Sequence, residues 1–190
     1  MLSMNKVEQD FLLKLARRAI EYYLDHKSQL TIPDSDLPSK EFLIKQPCFV
    51  TLTKDGQLRG CVGHLEPIQP LYKDVIENAI AAAFFDSRFW PMGKEELTQI
   101  KIEISILSLP KKLSFKNLND LIKSLSETKP GVIIQRGINK ATFLPQVWDE
   151  LAEPEEFLSD LCLKAGLDSK DWQSKKIVIS SYSVEAFKEL

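Results

Sequence analysis

The residues best suited to chemistry lie in the run Gln57-Leu58-Arg59-Gly60-Cys61-Val62-Gly63. Cys61 sits beside Gly60, two residues after an arginine and two before Gly63. Small neighbours leave a sulfur approachable, and a nearby guanidinium favours the thiolate, the form that acts as a nucleophile. The chemistry on offer is that of a nucleophilic or redox thiol. The competing reading is structural, because free cysteine is among the most buried residue types. Gly60 and Gly63 divide the same way: a glycine in a strand marks a bulge or the close approach of a backbone or a ligand.

Other groups qualify by type. Asp86 and Arg88 lie in one loop, Asp86-Ser87-Arg88-Phe89-Trp90-Pro91. With Arg59, Arg88 can form an anion-binding pair, since planar guanidinium forks suit carboxylates and phosphates. A salt bridge that merely ends the preceding helix explains the same residues. Phe89 and Trp90 can wall such a pocket or anchor a core. Glu103 occupies the polar side of an isoleucine-rich strand and becomes a general base only if that side shares a cleft with Cys61. Cys61 and His64 stand three apart, with Cys48 as a third ligand. Structural zinc usually takes four ligands in paired short spacings, and His26 is distant, so no metal site is expected. No Walker loop, dinucleotide fingerprint or Ser-His-Asp arrangement is found.

The elements that must position these groups follow from periodicity. Val7, Phe11, Leu15 and Ala19 recur every four residues, with Leu12, Ile20, Tyr23 and Leu24 widening the stripe, which predicts a helix over 7–25. Residues 33–38 hold two prolines and no periodicity and read as a loop. Asp55-Gly56 between Phe49–Thr53 and Leu58–Val62 predicts a hairpin with a two-residue turn. Such a turn sets a regular register, pairing Lys54 with Gln57, Leu52 with Arg59, Val50 with Cys61 and Cys48 with Gly63. A second helix starts near Pro70 and stops before Asp86. Ile100, Ile102, Ile104 and Ile106 alternate with polar residues and predict a strand. A short helix over 117–125, strands over 131–136 and 140–144, a helical turn over 145–151 and a helix from Pro154 capped by Gly166 follow. Residues 177–182 form the last predicted strand. Hairpins outnumber βαβ units, so the expected class is α+β with largely antiparallel sheets.

Composition sets outer bounds. A chain of 190 residues with 44% hydrophobic and 27% charged residues is an ordinary globular chain. A formal net charge of −2 argues against a phosphate-backbone binder. Three cysteines with no C-x-x-C pair suggest reduced thiols, and hence a cytoplasmic protein. The charged, amphipathic N-terminal segment does not read as a secretory signal. The apolar run 79–85 is far shorter than the ~20 residues of a membrane span.

Several blocks together resemble one family. Leu58-Arg59-Gly60-Cys61-Val62-Gly63 is similar to the hallmark hexapeptide of the AMMECR1 family, where isoleucine is common at the position of Val62. Ala81-Ala82-Ala83-Phe84-Phe85-Asp86-Ser87-Arg88-Phe89 resembles its alanine-rich helix and D-x-R-F loop. Glu103-Ile104-Ser105-Ile106-Leu107-Ser108, Ala141-Thr142-Phe143-Leu144-Pro145-Gln146-Val147-Trp148 and the helix over 157–167 resemble its later blocks, in the same order. Ser87 and Trp90 depart from the pattern, where small residues or prolines are frequent.

The resemblance implies a single domain over 1–190 built of two interleaved, closely associated α+β subdomains, with no cofactor. It implies Memo-like and radical-SAM proteins as partners, in what is called the AmmeMemoRadiSam system, and it names no reaction. It also raises Cys61 as the site. Two functions stay open. In the first, Cys61 is a catalytic thiol, Arg59, Gly60, Gly63, Asp86 and Arg88 bind a small anionic substrate, and Glu103 or Asp86 manages protons. In the second, the chain is a non-catalytic adaptor or binding subunit for those partners, with Cys61 structural.

Overall fold

The computed structural model describes residues 4–190. It has four helices and two four-stranded sheets, and the chain separates into two compact units. The first comprises residues up to 109 together with 185–190, and the second residues 110–184.

The first unit carries the predicted site. Helix α1 (Lys6–His26) opens with a capping box: Asn5 Oδ1 accepts from the Glu8 N–H at 3.1 Å and Glu8 accepts from the Asn5 N–H at 3.0 Å. Leu12, Leu15, Ala16, Ala19 and Ile20 form its buried face, while Val7, which opened the apolar stripe, is 71% exposed. Strands β1 (Cys48–Lys54) and β2 (Gln57–Gly63) form the expected hairpin. Asp55 and Gly56 both have positive φ, 52° and 77°, as a type I′ turn requires. Helix α2 (Leu71–Phe84) follows, with Pro70 as its N-cap residue, and then strand β3 (Ile100–Leu107).

Two corrections concern the sheet. The predicted register is broken by a bulge between Leu52 and Thr53: Thr53 pairs with Leu58, but Leu52 pairs with Gly60, leaving Arg59 as the extra residue. Cys61 therefore stands opposite Thr51 instead of Val50, and Gly63 opposite Phe49 instead of Cys48. A one-residue slip moves every later side chain to the other face of the sheet. The bulge takes Cys61 off the side of Val50 and Leu52, which pack with Ile102, Ile104, α1 and α2 in the core. The second correction is a further strand beyond Tyr182, β8 (Val184–Lys188), which completes the order β2-β1-β3-β8.

The second unit holds the two-residue strand β4 (Lys111–Lys112), helix α3 (Leu118–Thr128), β5 (Gly131–Arg136), β6 (Asn139–Phe143), α4 (Pro154–Lys164) and β7 (Val178–Tyr182). Its sheet runs β4-β7-β5-β6. Trp148 and Phe157 stack at 3.7 Å in its core, and the Trp148 indole N–H donates to the Pro130 carbonyl at 2.8 Å. Gly166 caps α4 from the left-handed region at φ 72°, as expected.

Candidate functional site around Cys61

The Cys61 thiol is partly exposed. Its nearest polar contact is a residue that sequence reasoning missed: the Thr51 hydroxyl donates to the sulfur at 3.3 Å. The missed bulge hid this pair, because the regular register puts Thr51 on the opposite side of the hairpin.

The backbone of Cys61 is held from the other direction. Its N–H donates to Asp86 Oδ2 at 2.9 Å, and its carbonyl accepts from Arg88 at 3.2 Å. Arg88 also grips Asp86 with two donors, Nε at 2.9 Å and Nη2 at 2.7 Å, and the Arg88 N–H adds a third bond at 3.2 Å. Asp86 lies at the end of α2, where the chain turns back to Phe89 through the Phe89 N–H to Asp86 carbonyl bond. The Arg88 guanidinium holds the Asp86 carboxyl far below the usual carboxylate range, aided by the two main-chain donors against the cost of burial. Asp86 is thus held as an anion between the Cys61 N–H and the Arg88 guanidinium.

Arg59 makes a second closed fork. Nε and Nη2 donate to Glu96 at 2.8 and 3.0 Å, and Nη2 also reaches the Trp90 carbonyl at 2.9 Å. The Arg59 bond lowers the Glu96 pKa to about 2. Both guanidinium groups lie near the Phe89 ring, 5.8 Å for Arg59 and 5.5 Å for Arg88. The two arginines do converge on one neighbourhood, but each already holds a carboxylate of the chain. Arg88 is the open one: its side chain is 55% exposed, against 14% for Arg59.

The glycines are explained by the chain's own backbone. A Cβ on Gly60 would lie 3.0 Å from the Ala82 carbonyl carbon and closer still to its oxygen, and one on Gly63 would overlap the Cys48 carbonyl and the Phe49 ring. Of the close approaches left open by the sequence, that of a backbone is present, made by α2 at Gly60 and by β1 at Gly63. Glu103 pairs with Thr51 across β1, so Glu103, Thr51 and Cys61 make one row over three strands. Two strand spacings separate the main chains of Glu103 and Cys61 by about 10 Å. Trp90 is 88% exposed and Phe85 62% exposed, so Trp90 does not anchor the core.

A second polar cluster was overlooked. Asp74 and Asn78, one turn apart on α2, are both 1% exposed and meet Cys48 and His64. Lys73 and Glu77, exposed and also four apart, make Asp74 and Asn78 read as part of a solvated face. Burial and the Asp74 charge push the Cys48 thiol well up, so it stays protonated and donates to Asp74 at 3.3 Å. Among the described residues no group of three or more His, Cys, Asp or Glu is arranged to hold a metal ion, and no helix is long and apolar enough to cross a membrane.

An α+β protein with a fixed thiol on the outermost strand of a four-stranded sheet is the class that fold and site define. The sequence pattern of the AMMECR1 family matches residues 13–187, and the chain belongs to that family. It is 40% identical to Protein MK0488 of Methanopyrus kandleri over 96% of this chain and 88% of that one. A Nanoarchaeum equitans relative is 39% identical over 94% of this chain and 98% of its own. The crystal structure of the uncharacterized protein PH0010 from Pyrococcus horikoshii matches with a TM-score of 0.89 and 34% identity, over 98% of this chain and 93% of that one.

Proposed function

We propose that the chain is an enzyme, or the catalytic partner of one, whose reactive group is the Cys61 thiol and whose substrate is a small anion drawn in by Arg88. The observation that carries this reading is the arrangement of Arg88, which binds the carbonyl of Cys61 and the carboxylate that holds the Cys61 N–H, yet keeps an exposed guanidinium. Thr51 fixes the sulfur from the other side. Asp86 acts as a positioning residue, and Glu103 acts on substrate or through water. Memo-like and radical-SAM proteins are the proposed partners in the pathway.

Native labelling with charged and uncharged reagents tests the reading. Cys48 and Cys162 are buried, so peptide mapping after brief alkylation should find Cys61 modified first. Iodoacetate should gain on iodoacetamide at Cys61, relative to their ratio on free cysteine, and Arg88→Gln should remove that gain. Labelling of Cys61 only after denaturation, or a ratio that Arg88→Gln leaves unmoved, refutes the proposal.

The adaptor function is favoured by one observation, the exposed Trp90 and Phe85 beside the site. The other two tryptophans, Trp148 and Trp172, are buried, so a Memo-like protein that docks on Trp90 should blue-shift the emission. Trp90→Ala should abolish that shift.

A further inference from the structure

His64, just past the end of β2, is arranged as an active base that the thiol site does not use. Gly63 lets the chain pass against β1 there, and the His64 N–H is fixed on the Cys48 carbonyl at 3.1 Å. The imidazole Nδ1 lies 2.7 Å from Asp74 Oδ1.

Asp74 fixes the tautomer. It is 1% exposed, and its two oxygens face donors on every side. Oδ2 accepts from the Cys48 N–H at 3.0 Å, the Cys48 thiol at 3.3 Å and the Asn78 amide at 3.0 Å. Oδ1 accepts from His64 and from the Gln69 amide at 3.1 Å. A carboxylate only accepts, so the 2.7 Å contact places a hydrogen on Nδ1 in preference to the 3.4 Å approach of the Asn78 amide to the same nitrogen, and the tautomer so fixed presents its lone pair at Nε2. The His64 side chain is 31% exposed, and Nε2 has no hydrogen-bond partner among the described residues. His64 thus has one nitrogen anchored on a buried carboxylate and the other presented, the arrangement that positions histidine for proton transfer.

We propose that His64 is a general base, with Asp74 its positioning residue, in a second site that takes a small neutral or cationic molecule with a transferable proton. The charge of that molecule follows from the surroundings. The fixed charge on the dyad is Asp74, and Glu77 joins it through the Gln69 amide at 2.6 Å. The Asp74 and Glu77 carboxylates disfavour an anion at this position. In the step, Nε2 takes the proton of an O–H or N–H group and the bonding pair stays on the oxygen or nitrogen. That atom bonds to the carbonyl carbon of a small neutral ester, whose alkoxide or phenolate departs with its own electron pair. The imidazolium, stabilised by Asp74, then gives its proton to solvent.

The test uses the full chain in a Cys61→Ser background, which removes the exposed thiol and separates this site from the thiol reading. The probe is p-nitrophenyl acetate, with water as the proton donor: hydroxide oxygen bonds to the acetyl carbon and p-nitrophenolate leaves. With His26→Gln also in the background and spontaneous hydrolysis subtracted, adding His64→Gln should lower hydrolysis about 100-fold, the low end of what a positioned base supplies. The nitrogen-15 spectrum of the neutral imidazole should show the hydrogen on Nδ1, and Asp74→Asn should shift that population toward Nε2. Equal rates with and without His64, or a hydrogen on Nε2 in the unsubstituted protein, overturns the proposal. If Asp74→Asn does not fold, the rate comparison and the spectrum of the unsubstituted protein still decide.

Discussion

Gly60 gives the sharpest test of how the hairpin is built. It pairs with Leu52 on the core side of the sheet, just after the bulge, and faces the Ala82 carbonyl of α2. In Gly60→Ala the new methyl would stand 3.0 Å from the Ala82 carbonyl carbon and nearer to its oxygen. Both are main-chain atoms, so no side chain can swing aside. Ala79, Ala82 and Ala83 are at most 2% exposed, which leaves α2 no slack on this face. Overpacking of a tight core costs about 1–3 kcal/mol. Replacing glycine returns roughly 0.4–1 kcal/mol by restricting the unfolded chain. Because the clash is with main-chain atoms, the upper end of the overpacking cost applies. The net loss is then about 2 kcal/mol, a urea midpoint lowered by about 1 M at a slope of about 2 kcal/mol per M. Cys48 is fully buried in the first unit and reports its opening directly. Alkylation of Cys48, followed by peptide mapping along a urea series, should show the lowered midpoint. A Cys48 midpoint unchanged in Gly60→Ala would refute the close packing of α2 on β2 and, with it, the stated reason for glycine at this position.

Two other perturbations follow from the ion pairs and the second core. The Glu96 pKa is about 2, below its ordinary value of 4.5, so its contribution to stability is complete above about pH 4.5 and is lost as pH falls through about 2. That contribution is about 3 kcal/mol at neutral pH, and Glu96→Gln should flatten the pH dependence of the Cys48 midpoint between those limits. Asp86, lowered by Arg88, acts with the same sign. In the second unit, Trp148→Ala removes the stack on Phe157 and orphans the Pro130 carbonyl, at a cost of about 3–5 kcal/mol. Labelling of the buried Cys162 along the same urea series should show it.

Periodicity made most of the fold legible. The alternation at Ile100–Ile106, the stripe of α1 and the Asp55-Gly56 turn each dictate one local structure, and each is present. What stayed hidden depends on contacts between distant residues. Arg59 is extruded as a bulge where its fork meets Glu96, 37 residues away, and where only Gly60 fits under Ala82. Neither constraint is local, so a turn-based register ran one residue out of phase and set Cys61 beside Val50. Lys111-Lys112 is too short to show a period, and Val184–Lys188 is a strand by virtue of its place beside β3. Cys61, Arg59, Asp86 and Arg88 were found by residue type and do share one neighbourhood. Thr51 was missed through the register, and Asp74 and Asn78 because Lys73 and Glu77 beside them look like a solvated face.

The Asp86–Arg88 pair has a consequence for self-association. β2 is the outermost strand of its sheet, and an outer strand ordinarily offers a row of unpaired N–H and C=O groups to any extended chain that comes near. At Cys61 both groups are already taken, the N–H by the Asp86 carboxylate and the carbonyl by the Arg88 guanidinium. The two side chains occupy the places that an added strand would need. A thiol displayed on a sheet edge would otherwise invite aggregation and intermolecular disulfides together, and here one ion pair obstructs strand addition while keeping the sulfur in place.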